Sequence, residues 1–79
     1  MPTLLLLNGL RFFFYSDESS EPMHIHVTKG NAAGKIWLEP ELEVAYFYRF
    51  TKSEERTIQE IVKSHINEFK IKWHEHFSK

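Results

Sequence analysis

The stretch "LLLLNGLRFFFY", residues 4–15, decides the fold because it carries a strong β-hairpin signal. Asn8 and Gly9 both accept the positive φ angles that a two-residue type I′ turn requires. The sequence therefore predicts two antiparallel strands, at about residues 3–7 and 10–15. Both faces of the second strand carry apolar residues, so we expect it to be central or to meet a partner on one face.

Three more strands are predicted beyond the polar loop "SDESSE". The segment "MHIHV", residues 23–27, predicts the third strand. The turn "KGNAAG" leads to a fourth strand at about residues 35–39, which ends before Pro40. A fifth strand is predicted within "ELEVAYFYRF", residues 41–50, from the alternation of its side chains.

The last third of the chain changes to helical periodicity. Thr51 and Glu54 have the spacing of a capping box, in which each side chain accepts a hydrogen bond from the other residue's backbone N–H. Apolar residues then recur every three or four positions, which predicts one amphipathic helix at about residues 52–78. The stripe contains Ile58, Ile61, Val62, His65, Ile66, Phe69, Trp73 and Phe77. The fold class that follows is α+β: one domain, residues 1–79, in which a small antiparallel sheet of four or five strands packs against one long C-terminal helix.

Composition removes several classes of function. The chain has 79 residues, of which 15% are aromatic, and its net charge is −1. The sequence lacks cysteine, which excludes disulfides, thiolate metal sites and a cysteine nucleophile. The apolar run at residues 4–7 is too short for a signal peptide or a membrane span, so we expect a cytoplasmic protein without membrane contact. The motifs GxSxG, GxGxxG, HExxH and the P-loop do not occur.

The histidines are the first candidates for chemistry. His24 and His26 lie two residues apart, so both imidazoles should point to the same strand face. His65 lies in the apolar stripe of the helix, and a helix packed on that strand face would bring three imidazoles together. Such a cluster suits a metal ion or an acid–base pair. The alternatives are that His65 is a hydrogen-bonded packing residue and that the pair is simply a polar strand face.

Two other clusters have a functional and a structural interpretation. Alternating Glu39, Glu41 and Glu43 could hold a hard cation, but a solvated edge that discourages strand pairing is the favoured interpretation. A set of aromatic residues could stack nucleic-acid bases. Because no basic pattern accompanies these rings along the chain, we favour the core or a protein interface for them. The set is Phe13, Tyr15, Trp37, Tyr46 and Tyr48.

Several quoted segments together resemble a known family. "RFFFYSDESSEPMHIHV" at 11–27, "GKIWLEP" at 34–40 and the helix at 51–77 are similar to the small bacterial family catalogued as domain of unknown function 4160. The resemblance spans nearly the whole chain and departs from the family at residues 41–50. The matching positions are Glu21, Pro22, His24, His26, Lys35, Trp37, Leu38, His65 and Trp73.

The resemblance implies a function through gene context. Members tend to be encoded beside a second small protein, of the family called domain of unknown function 2442, in a layout similar to toxin–antitoxin pairs. By this analogy the chain is the toxin-like member, its partner is a cognate antitoxin-like protein, and it inhibits growth through RNA or translation. The low net charge favours ribosome-bound RNA over free RNA as its target.

One mechanism compatible with this expectation is that of a metal-independent ribonuclease without a cofactor. One imidazole would deprotonate the 2′-hydroxyl and another would protonate the leaving oxygen, while Lys35 or Arg11 stabilises the phosphorane. The candidate catalytic residues are His24, His26, His65, Lys35 and Arg11. One alternative is a non-catalytic protein-binding subunit of a two-protein complex. Another is a metal site made of His24, His26 and His65. The sequence also leaves open whether the chain forms a homodimer.

Overall fold

The computed structural model of the chain describes residues 3–14 and 21–77. It contains five strands followed by one helix: β1 (Thr3–Leu7), β2 (Leu10–Phe13), β3 (His24–Lys29), β4 (Ala32–Trp37), β5 (Glu43–Tyr48) and α1 (Lys52–Phe77). The sheet is antiparallel, in the order β1-β2-β3-β4-β5. The α+β prediction, with the hairpin first and one long helix last, is confirmed. Within the described residues, no helix combines the length and the apolarity that crossing a membrane needs.

The predicted hairpin is present. Asn8 has a φ of 54° and Gly9 a φ of 79°, as the two central positions of a type I′ turn require. Leu7 and Leu10 pair directly across the turn. β2 ends at Phe13, and the predicted last residue of that strand, at position 15, lies outside the described residues.

The third and fourth strands are displaced from the predicted ranges because the turn between them is shorter than predicted. Lys29 pairs with Ala32, which leaves only Gly30 and Asn31 in the turn. Gly30 has a φ of 58°, which glycine adopts without a steric penalty. β3 therefore runs on to Lys29 and β4 begins three residues before the predicted start.

The capping box begins the helix as predicted. The Thr51 backbone N–H donates to Glu54 Oε1 at 2.9 Å, and the Glu54 backbone N–H donates to Thr51 Oγ1 at 3.1 Å. Lys29 Nζ donates to Glu54 Oε2 at 3.0 Å, so the first helical turn is also tied to the end of β3. The Thr51 backbone hydrogen bond first, and Lys29 second, hold the pKa of Glu54 below its ordinary value of 4.5.

The helix covers one face of the sheet. Ile25 and Val27 of β3 lie in the same apolar cluster as Ile58 and Val62 of α1. Successive side chains of a strand point to opposite faces, so His24 and His26 belong to the other face. The cluster is completed by Leu10, Phe12, Phe14, Met23, Ile36, Leu38, Phe69 and Trp73.

A close contact fixes the position of β5 against β4. Gly34 is buried and lies opposite Phe47. A Cβ at position 34 would lie 2.9 Å from Phe47 Cδ1 and 3.2 Å from both the Tyr46 carbonyl oxygen and Val27 Cγ1. A methyl group there would have to displace the Phe47 ring, the neighbouring strand and a core side chain by a few tenths of an ångström, so glycine is favoured.

Candidate functional site

Strand register assembles a mixed aromatic and cationic surface on the sheet face opposite the one that carries Ile25 and Val27. His26 pairs with Phe13 on β2 and with Lys35 on β4, while His24 pairs with Trp37. Further along, Tyr46 of β5 pairs with Lys35. We call this surface the histidine face. Its members are Arg11, Phe13, His24, His26, Lys35, Trp37, Tyr46 and Tyr48.

His24 is enclosed rather than presented to solvent, since only 1% of its surface is exposed. Its Nδ1 lies 2.9 Å from the Pro22 carbonyl oxygen, which can only accept, so the ring donates through that nitrogen. Its ring contacts Trp37 edge-on at 5.4 Å between centroids and Trp73 at 5.2 Å. Because Trp73 belongs to α1, His24 joins the sheet to the helix at the start of β3.

His26 lies beside His24, with 5.1 Å between the ring centroids, and is 9% exposed. Its ring stacks on Phe13 at 5.6 Å. The Arg11 guanidinium carbon lies 4.9 Å from the centre of the same Phe13 ring. A guanidinium and an imidazole thus share one aromatic partner, which brings two of the predicted site residues close together.

Lys35 completes this group from β4. Its Nζ donates to Glu21 Oε1 at 2.9 Å and lies 4.4 Å from the centre of the Trp37 ring. The same Glu21 oxygen is 3.8 Å from His24 Nδ1. Four of the five predicted site residues (His24, His26, Lys35 and Arg11) therefore belong to one sheet face.

The fifth, His65, lies elsewhere. Its Nδ1 donates to the Ile61 carbonyl oxygen at 2.9 Å, one helical turn back, and its ring stacks on Phe69 at 6.0 Å. The helix packs on the more apolar face, which carries Ile25 and Val27, so the condition under which three imidazoles would meet is not fulfilled. In the part of the chain that the structure describes, no three His, Asp or Glu side chains are arranged to hold a metal ion, including the predicted histidine trio.

Arg49 contacts one member of this surface, Tyr48, and was not singled out from the sequence. Its guanidinium carbon lies 5.3 Å from the centre of the Tyr48 ring, and its φ is 67°. Two other cation–aromatic pairs could have been found as i, i+2 spacings on strands, Arg11 with Phe13 and Lys35 with Trp37. The sequence does not predict the third pair, Arg49 with Tyr48, because this pair depends on the backbone conformation of Arg49.

A groove of about 470 Å³ lies away from the histidine face, along the first half of α1. Acidic and basic side chains alternate along its wall, and Leu42 supplies its apolar contact. None of the predicted site residues takes part in it. Its lining residues are Leu42, Lys52, Glu55, Arg56, Gln59, Glu60 and Lys63.

A comparison with protein-family models finds a match over residues 9–74, to a family described as "Domain of unknown function (DUF4160)". The matched range includes every member of the histidine face and His65. No curated protein and no solved structure matches the chain.

Proposed function

Because this chain belongs to the family described as Domain of unknown function (DUF4160), and in view of the gene pairing that the resemblance implies, we propose that it is the toxin-like component of a bacterial toxin–antitoxin pair. It acts in the cytoplasm on RNA or on translation, and a small cognate protein holds it inactive. The observation that carries this proposal is the meeting of Arg11, His26 and Lys35 on one sheet face. Cations beside aromatic rings suit a ligand with phosphates and bases.

The geometry favours binding of RNA over its cleavage. General acid–base cleavage needs two groups that both reach the reacting atoms. His24 is 1% exposed and its Nδ1 is bonded to Pro22, while His65 lies among the residues of the helical stripe. His26 is then the one candidate imidazole that adjoins Lys35 on this face with part of its surface exposed. A toxin of this kind arrests translation by occupying RNA.

The test is inducible expression in a bacterium that lacks the cognate partner. Wild type and His65→Ala should arrest growth, Lys35→Ala should relieve the arrest, and co-expression of the partner should restore growth. Total RNA from arrested cells should stay intact. Unchanged growth with wild type would remove the toxin proposal. If cells expressing wild type contain RNA fragments, and cells expressing His26→Ala do not, the protein cleaves RNA and does not simply bind it.

A second candidate function, a non-catalytic subunit that binds a protein, is favoured by the β1 edge. Thr3–Leu7 contains no charged residue, and Leu6 is 69% exposed. An uncharged edge strand offers unpaired backbone groups to an incoming strand. Leu6→Lys should then abolish a one-to-one complex with the cognate protein in light scattering after size exclusion. A complex that survives this substitution would argue against the β1 edge as the interface.

A further inference from the structure

We propose that the β4–β5 end of the histidine face binds single-stranded RNA by stacking unpaired bases on Tyr46 and Tyr48. This inference rests on the proposed function and names its substrate class. The two tyrosines are 48% and 54% exposed, more than the other aromatic members of the face, which are buried or half-buried. Two large rings held in water by a rigid strand offer stacking surface at little entropic cost.

The spacing of the two rings selects single strands. Tyr46 pairs with Lys35 and Tyr48 with Ala33, so both rings leave the same face of β5. Residues two apart on a strand are separated by about 7 Å. Bases within a duplex are stacked about 3.4 Å apart. Rings at twice that separation match the bases of an extended strand, whereas paired bases inside a helix cannot reach them.

The charges beside the rings favour a polyanion over a protein partner. Lys35 lies opposite Tyr46 and also contacts the Trp37 ring at 4.4 Å, and Arg49 lies over Tyr48 at 5.3 Å. Each tyrosine therefore has a cation beside it, while Glu21 pairs with Lys35 and Glu43 lies opposite Trp37. Phosphates flanking a stacked base would meet these two cations.

Arg49 provides an independent observation. Its φ of 67° is a conformation that residues with a side chain rarely adopt, and such residues concentrate at binding sites. This conformation directly follows β5 and accompanies the placement of the guanidinium over Tyr48. The strained backbone thus holds a cation at the most exposed ring of the face.

Glu21 competes with the ligand for Lys35. Lys35 Nζ donates a hydrogen bond to the Glu21 carboxylate at 2.9 Å, and a phosphate oxygen would need the same donor. Binding of RNA therefore exchanges one anion for another at this lysine. Glu21→Gln should raise the affinity for RNA several-fold. The matched control is Glu54→Gln, which removes the same charge from the Lys29 ion pair at the start of the helix.

The main experiment measures fluorescence anisotropy of a labelled, unstructured 12-nucleotide RNA with purified full-length protein. Tyr46→Ala and Tyr48→Ala should each weaken binding about tenfold, whereas Tyr46→Phe and Tyr48→Phe keep the ring and should bind nearly as wild type does. Ile71→Ala, which truncates a helix residue that is 57% exposed, should leave binding unchanged. The same sequence annealed to its complement should bind more weakly. Thermal melts check that each variant is folded.

Two outcomes would overturn the inference. Wild type that fails to bind the RNA at low salt, or alanine variants that bind as wild type does, would exclude this surface as an RNA site. Loss of binding to the cognate protein, without any RNA binding, would identify the surface as a protein interface. The growth assay distinguishes failure of this inference from failure of the proposed function. Arrest that persists with Tyr46→Ala and Tyr48→Ala would leave the toxin proposal standing with another contact surface.

Discussion

Gly34→Ala tests the link between the β4–β5 contact and the binding surface. The added Cβ would lie 2.9 Å from Phe47 Cδ1, closer than nonbonded carbon atoms approach. The Phe47 ring can turn away, but the Tyr46 carbonyl oxygen and Val27 Cγ1, both at 3.2 Å, belong to a paired strand and to the core. We expect part of the relief to come from a small shift of β5 away from β4, which moves Tyr46 relative to Lys35.

Overpacking of this kind typically costs about 1–3 kcal/mol. For a domain of this size, each kcal/mol lowers Tm by about 4–8 °C. We therefore expect Gly34→Ala to lower the free energy of unfolding, measured by urea denaturation, by about 2 kcal/mol. The affinity for single-stranded RNA should fall as well, although position 34 lies on the helix-covered side of β4.

A double-mutant cycle with Phe47→Leu isolates the cause. If the clash with the Phe47 ring contributes to the cost, Gly34→Ala should be less destabilising in the Phe47→Leu background, with a coupling energy of about 1 kcal/mol. Strict additivity would show that the ring is not the obstacle. A Gly34→Ala variant as stable as wild type would refute the packing argument altogether.

Three further predictions concern the helix start, the enclosed histidine and the strained arginine. Glu54 has a lowered pKa in the folded state, so Glu54→Gln should be less stable than wild type at pH 7, and the difference should shrink below pH 4.5 as the pH falls through that lowered pKa. His24→Ala should lose about 2–4 kcal/mol of stability because it leaves a cavity between two tryptophans, while the control His65→Ala loses less than half as much. Arg49→Gly should raise stability by about 1 kcal/mol and weaken RNA binding, since glycine adopts a positive φ freely.

Each of these predictions has a clear contradictory result. A stability difference for Glu54→Gln that stays constant as the pH is lowered from 7 to about 2 would show that the capping box does not act through the ionised carboxylate. Equal melting temperatures for His24→Ala and His65→Ala would show that His24 does not stabilise the contact between sheet and helix. Destabilisation by Arg49→Gly would mean that contacts of the arginine outweigh its backbone strain.

Local signals in the sequence predicted most of the fold. The Asn8-Gly9 pair fixed the first turn, and the Thr51–Glu54 spacing fixed the first residue of the helix. These predictions succeeded because each feature depends on a few neighbouring residues whose backbone preferences agree. Strand ends were less accurate where the two-residue turn at Gly30 and Asn31 replaced a longer predicted one.

The face covered by the helix could not be predicted in the same way. Apolar or aromatic residues occur on both sides of β2, where Phe12 and Phe13 point in opposite directions and both are buried. Periodicity therefore does not distinguish the two faces, and whether His65 meets His24 stayed open. The pairing of Arg49 with Tyr48 could not be predicted from the sequence for another reason. A positive φ at an arginine is imposed by its surroundings and not by its own preference.

The order of the strands has a consequence for how the chain is made. Each strand pairs only with its neighbours in sequence, so the sheet can assemble while synthesis proceeds from the N-terminus. On the apolar side of that sheet, Phe12, Ile25 and Ile36 lie in one cluster with residues of α1. A chain whose synthesis stops before α1 would thus display an uncovered hydrophobic sheet and aggregate. Completion of the last third of the polypeptide is therefore what covers this apolar surface.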